Sequence, residues 1–256
     1  MCKFFSFVTD GKNNRFFFND EKRSELIQSN PENYEFDSHS SVCKFFNLKE
    51  DNSNKYEYNP LAGEFKVDQV NNQRDDRVLA EKWVRSLDFK AVVKELVVKP
   101  VIHPFQINPP EINDSHVELL KKWDSVWASV WDSVWASVKA SVWDSVWDSV
   151  GDSVKASVWD SVKASVKASV KASVGDSVKA SVWASVGASV KASVWAYNSS
   201  FFVLNGWKYT DAKNGENPFQ SCIDLWEQGI VPSFDGTTWR LHTKNGIAWE
   251  GIINRL

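Results

Sequence analysis

Six tryptophans stand at the head of four-residue units in the middle of this chain: Trp123, Trp127, Trp131, Trp135, Trp143 and Trp147. An indole ring offers a broad apolar face and one N–H donor, so outward rings at regular spacing could stack on sugars or anchor a protein. They are the binding candidates. The bland alternative is an aromatic girdle packed against the chain itself. Catalytic groups are sparser. His39 and Cys43 lie four apart, a spacing that puts both on one helix face, with Asp37 close by. A metal site needs three or four ligands, so Cys2, His103 or His116 would have to join them. Asp235 and His242 could exchange a proton, but Asp235-Gly236 reads first as a turn. There is no phosphate-cradling glycine loop, no H-E-x-x-H and no G-x-S-x-G. No catalytic residue, metal or cofactor is expected.

What positions the tryptophans is a repeat. Eighteen consecutive tetrads run from Trp123 to Val194, each of the form [W/K/G]-[D/A]-Ser-Val. The first position is Trp eight times, Lys seven and Gly three, and the second is Ala eleven times and Asp seven. No buried slot accepts Trp, Lys and Gly alike, and an unpaired buried Asp is expensive, so these two positions face out. Val fills the interior, and Ser, which both donates and accepts, bonds backbone groups or its own repeats. On an α-helix four residues advance about 400°, so the Val stripe would drift by about 40° per unit, along a rod about 108 Å long. A β-solenoid has neither problem, because identical side chains stack coil on coil. The repeat therefore predicts a tetrapeptide β-solenoid. A four-sided coil of 16 residues leaves room for inward Val; a three-sided coil of 12 is the alternative.

The flanks read as small α+β units. Expected divisions are an N-terminal unit at 1–99, a Pro-rich linker at 100–112, a capping helix at 113–122, the solenoid at 123–196 and a C-terminal cap and tail at 197–256. Lys3 to Val8 and Arg15 to Phe18 have strand composition, as do Tyr56 to Tyr58 and Phe65 to Asp68. Ser40 to Asn47 and residues 76–97 have helical spacing, and Asn113 or Ser115 could cap the helix leading into Trp123. In the tail a helix is expected near Ser221 to Gln228, a turn at Pro232 to Gly236, and a hairpin of Thr238 to Thr243 with Ile247 to Glu250 around Asn245-Gly246.

Composition narrows the function. The 256 residues carry a formal charge of −3, and seven Lys balance seven Asp in the repeat. A nucleic-acid binder would need a basic face and a nucleic-acid mimic an acidic one, so neither is expected. No apolar run is long enough to span a membrane, and the first ten residues lack a secretory pattern. Three scattered cysteines fit free thiols in a reducing compartment. A cytoplasmic location follows, in a host cell or a virion if the chain is of phage origin.

The tetrads, together with the tail Leu225-Trp226-Glu227, Val231-Pro232-Ser233-Phe234-Asp235-Gly236 and Thr238-Trp239-Arg240-Leu241-His242, resemble uncharacterised, often phage-encoded, proteins with WDSV and WASV repeats. That resemblance implies a phage origin and no particular activity. Pentapeptide-repeat solenoids are a distant architectural analogy, since their period is five. The leading functional expectation is a non-enzymatic structural or interaction protein using the solenoid as a binding scaffold for a protein or glycan. An inhibitor or decoy of a host macromolecule is the second, and an enzyme housed in the N-terminal unit the third.

Overall fold

The structure, a computed structural model, describes residues 4–29, 38–142, 144–174 and 180–253. In chain order its elements begin with β1 (Ser6–Thr9), β2 (Arg15–Phe16), α1 (Asp20–Ser29), α2 (His39–Phe45), β3 (Asn54–Asn59), β4 (Glu64–Gln69), α3 (Arg77–Val84) and α4 (Phe89–Val92). The repeat follows as α5 (Asp114–Val126), α6 (Val130–Ser141), α7 (Asp144–Val154), α8 (Asp160–Val174) and α9 (Ala180–Ser199). The tail holds α10 (Gln220–Glu227), β5 (Val231–Phe234), β6 (Trp239–Thr243) and β7 (Gly246–Gly251).

The expected β-solenoid, four-sided or three-sided, does not form: the tetrads are helical, and the fold is α+β. The drift that argued against a helix is real but is kept short. A core-facing stripe at least about 100° wide accepts Val positions that lead one another by about 40° for three units before they rotate out. Each repeat helix buries about that many: Val130, Val134 and Val138 on α6, Val146, Val150 and Val154 on α7, Val162, Val166 and Val170 on α8, Val186, Val190 and Val194 on α9. Between these runs the helix is interrupted. A 3-10 turn spans Trp127–Ser129, a bend falls at Val142, and a π turn spans Lys155–Trp159. A π turn holds one residue more than an α turn, so it sets later residues back by about 100° and cancels two to three units of drift. Val158, inside that turn, is 1% exposed. Ser also fits a helix here, because its hydroxyl bonds the carbonyl three or four residues back, as in Ser153 to Ser149 (2.7 Å), Ser169 to Ser165 (2.7 Å) and Ser193 to Ser189 (3.0 Å).

The chain forms two compact units, the first from Met1–Pro100 with Ser141–Ser153, the second from Val101–Ala140 with Val154–Leu256. In the first unit an antiparallel sheet of order β2-β1-β3-β4 carries an aromatic core in which Phe7 packs on Tyr56 and Trp83 at 5.4 and 5.0 Å. Thr9, Asn54 and Tyr56 all donate to Oδ1 of buried Asp76, at 2.9, 2.8 and 2.7 Å, joining β1, β3 and the start of α3. Repeat helix α7 belongs to this unit through Ser153. Its Ser149 accepts from the Phe4 N–H (3.1 Å), and Ser153 accepts from the Asn59 side chain (2.8 Å).

In the second unit the antiparallel sheet β5-β6-β7 lies with β5 along α9, and α10 packs on α5 and α9. The stretch expected as a turn, Pro232 to Gly236, begins as strand β5, because Ser193 and Ser189 hold its backbone. Ser193 donates to the Pro232 carbonyl (3.2 Å), and Ser189 accepts from the Phe234 N–H (2.8 Å). Ser133 and Ser137 of α6 do the same for Lys208, the first donating to its carbonyl and the second accepting from its N–H. Asn113 caps α5 in a reciprocal pair with His116. This segment opens a helix that runs on into the repeat; there is no solenoid column for it to close. The Pro-rich stretch is tied down at Ile102, whose N–H reaches the Tyr197 hydroxyl (2.7 Å) and whose carbonyl accepts from the Trp226 indole (3.0 Å). Gly229 ends α10 at φ 80°, where a Cβ would lie 3.0 Å from the Pro104 carbonyl oxygen.

Val158→Asp should unfold the second unit's repeat helices, at a cost of about 3 to 5 kcal/mol, by burying an unpaired charge. Ser189→Ala should cost about 1 to 3 kcal/mol, since the Phe234 N–H loses its acceptor, whereas Ser165→Ala, at an exposed site, should be neutral or stabilising. Thermal melts followed by far-UV circular dichroism, with a helix-type spectrum for the parent chain, check all three.

Candidate functional site

The six candidate tryptophans separate into different environments. Trp123 is fully buried on α5, edge-on to Phe219 at 6.4 Å. Trp127 is half-buried, with its ring 6.1 Å from Phe234 and 6.0 Å from Trp239. Trp147 is 6% exposed, in the first unit. Trp143 lies outside the described residues. Among the described candidates only Trp131 and Trp135, one turn apart on α6, are exposed, at 43% and 48%.

Trp131 belongs to an aromatic face shared with α9. Trp195 meets Trp131 edge-on with ring centroids 4.2 Å apart, and the Lys191 ammonium sits 4.4 Å above the Trp131 ring. The attraction is between a cation and the electron-rich ring face, and it holds Trp131 in one orientation. The reason this face forms is the repeat register. With Val130, Val134 and Val138 buried beneath α6, first-position residues are turned to the outside, and Lys191 and Trp195 occupy the corresponding places on α9. Lys191 and Trp195 were not among the sequence candidates. Their signal was available, since Trp195 continues the first-position register one unit beyond the last full tetrad.

The groups that could have done acid, base or metal chemistry are committed elsewhere. His39 is buried, its Nε2 bonded to the Tyr56 carbonyl oxygen (3.0 Å) and its Nδ1 3.4 Å from Asp68. Burial pushes the neighbouring Cys43 thiol up, away from the thiolate a nucleophile would need. Asp37 and Cys2 lie outside the described residues. His103 pairs with Ser161 (2.6 Å), and burial lowers its pKa; His116 pairs with Gln228 (3.2 Å) besides its capping role. Among the described residues no three His, Cys, Asp or Glu side chains are grouped so as to hold a metal ion.

The tail motif is likewise accounted for by packing. Asp235 accepts from the N–H groups of Thr237 (2.9 Å) and Thr238 (2.8 Å) and from Arg240, which also reaches Glu250 at 3.2 Å. Trp239 donates its indole N–H to Asp124 (2.9 Å), the one repeat aspartate that is buried among those described. His242 does not face Asp235; it bonds Ser233 across the β5–β6 pair at 2.7 Å. Ser233 and His242 form the kind of hydroxyl–imidazole pair that an acyl-transfer enzyme uses, but both are fully buried, so no substrate reaches them. Burial, and then the nearby Arg240 charge, lower the His242 pKa to about 3.

Comparison of the chain with protein-family models, with curated proteins and with solved structures finds no match. Among the described residues no helix is long and apolar enough to cross a membrane.

The neutral His242 makes stability depend on pH in one direction. Its folded pKa, about 3, lies below its ordinary 6.5, so the unfolded chain binds the extra proton between those values. The contribution is complete above pH 6.5 and is lost as pH falls towards 3, by up to about 1.4 kcal/mol per pH unit. Urea melts of the parent chain and of His242→Gln across that window should show a shallower pH slope in the variant; parallel slopes would assign the acid sensitivity to other groups.

Proposed function

We propose that this protein is a non-enzymatic interaction protein, in which short repeat helices form a scaffold that presents Trp131, Trp135 and Trp195 to a protein partner. The observation that carries the reading is the exposure of two large indole rings on one face of α6, the first of them, Trp131, held against α9 by Lys191 and Trp195. Large aromatic surface left in water is costly and commonly marks a contact site, and Trp is among the residues that contribute most to protein interfaces. A protein suits this face better than a sugar. Flat stacking on a sugar needs an unobstructed ring face, and one face of Trp131 is already occupied by the Lys191 ammonium. A cytoplasmic setting is part of the same reading, supported by Cys43 and Cys222, both buried free thiols.

The test is the double change Trp131→Lys with Trp135→Lys. Lys stands at the same tetrad position in seven other units, so the cost should stay near that of losing the Trp195 and Lys191 contacts, about 1 to 2 kcal/mol. A partner retained by the immobilised parent chain should be lost by the variant, identified by mass spectrometry of both eluates. Equal recovery from the two would overturn the proposal, and so would a large fall in stability, which would make the rings structural. Trp127→Lys is the internal contrast: it places a charge against Phe234 and Trp239 and should destabilise by about 2 to 4 kcal/mol whatever the partner.

A further inference from the structure

A second feature of the second unit is independent of the aromatic face. A cavity of about 610 Å³ opens between the last turns of α5 and the segment that leads into α10. That volume is within the usual range for a small-molecule site. Its lining includes Ser221, in the first turn of α10, a residue 8% exposed. Beside it the Thr210 hydroxyl oxygen is also buried and unpartnered. Buried hydroxyls are nearly always satisfied, so the Thr210 orphan, with the Ser221 hydroxyl on the same lining, points to a ligand that supplies the missing bond. Ser125 and Ser129, also on the lining, donate to backbone carbonyls three residues back at 2.7 and 2.9 Å and keep their acceptor lone pairs.

Tyr209 stands at the cavity's rim with φ 60°, in the left-handed region that a bulky residue rarely adopts, and with 71% of its surface exposed. Strain of this kind is retained where surrounding structure or function requires it. The charges at the mouth are mixed, Lys122 against Asp211 and Glu216. An anion would meet two carboxylates and a cation would meet the lysine, so a neutral ligand is favoured. The lining mixes apolar groups, Val126, Ala212 and Pro218, with hydroxyls, amides and carboxylates, so a ligand with both C–H faces and hydroxyls suits it better than a hydrocarbon.

We infer that this cavity binds a neutral carbohydrate of one or two rings, with the Tyr209 ring stacking on the sugar's C–H face. Ser221 and Thr210 then bond hydroxyls that act as both donor and acceptor, and the Asp211 and Glu216 carboxylates accept from others. Sugars satisfy orphan donors and acceptors together, which neither a simple ion nor a hydrocarbon does.

Saturation-transfer NMR with the full chain tests this, using the methyl glycosides of glucose, galactose, mannose and N-acetylglucosamine, with inorganic phosphate as the anionic comparison. At least one glycoside should bind at millimolar concentration, and phosphate should not. Tyr209→Gly removes the ring while letting the backbone relax, so the melting temperature should hold or rise as the Kd weakens by about tenfold. Ser221→Val should weaken binding similarly without exposing new surface. The Trp131→Lys, Trp135→Lys variant should bind the glycoside normally, which keeps failure here distinct from failure of the interaction reading. Silence from all four glycosides, preference for phosphate, or binding unaltered in both cavity variants would overturn the inference.

Discussion

A period of four does not match a helix of 3.6 residues per turn, and that mismatch of about 40° per unit governs the repeat. A continuous helix would carry Val out of any core within a few tetrads. The chain instead divides the repeat into helices that each keep about three Val side chains buried, with a 3-10 turn, a bend and a π turn between runs. The interruptions are thus a consequence of the sequence period rather than of local helix breakers: the tetrads at the π turn, KASV and WDSV, are the same as those in uninterrupted helix.

The second consequence concerns serine. Because Ser precedes Val, it sits about 100° round from the core stripe, at the edge of the buried face. Where an extended segment approaches that edge, paired hydroxyls one turn apart take up its backbone groups: Ser133 and Ser137 at Lys208, Ser189 and Ser193 at β5. Ser149 and Ser153 of the first unit offer the same pair to Phe4 and Asn59. Strand edges that would otherwise be unpaired are satisfied by helix side chains, so one repeat supplies both an apolar stripe and a polar seam. On α8 the corresponding Ser165 is exposed, which shows that the seam depends on what approaches and not on the tetrad itself.

The functional picture follows from how polar groups are used. All four histidines and the tail's Asp235 and Arg240 serve packing, capping or cross-strand bonds. Among the described residues, the exposed indoles of α6 and the cavity that Tyr209 lines are two surfaces open to other molecules.

The sequence alone indicated that the tetrad Val faces the core, but not which serines do: Ser133 and Ser189 are buried, Ser125 and Ser165 exposed. Among the described tetrads Val is buried in all but Val126 and Val182, and the first position is buried only at Trp123 and Trp147, because no interior slot accepts Trp, Lys and Gly in turn. It also disclosed several flanking elements, among them the β3–β4 pair, α2, the Asn113 cap, α10 and the β6–β7 hairpin, since turn chemistry, caps and alternation are local signals. It did not disclose that the tetrads are helical. Inward Val and outward Trp suit a solenoid and a set of short helices equally well, and the choice between them rests on where the helix is interrupted, which identical tetrads cannot encode. Nor could it separate Trp131 from Trp123. Both head a WDSV unit; one is exposed and the other fully buried only because Phe219 and the rest of the tail pack beside α5 and not over that face of α6. Exposure of a repeated residue is decided by its non-repeated neighbours, and those are brought together only by the tertiary fold.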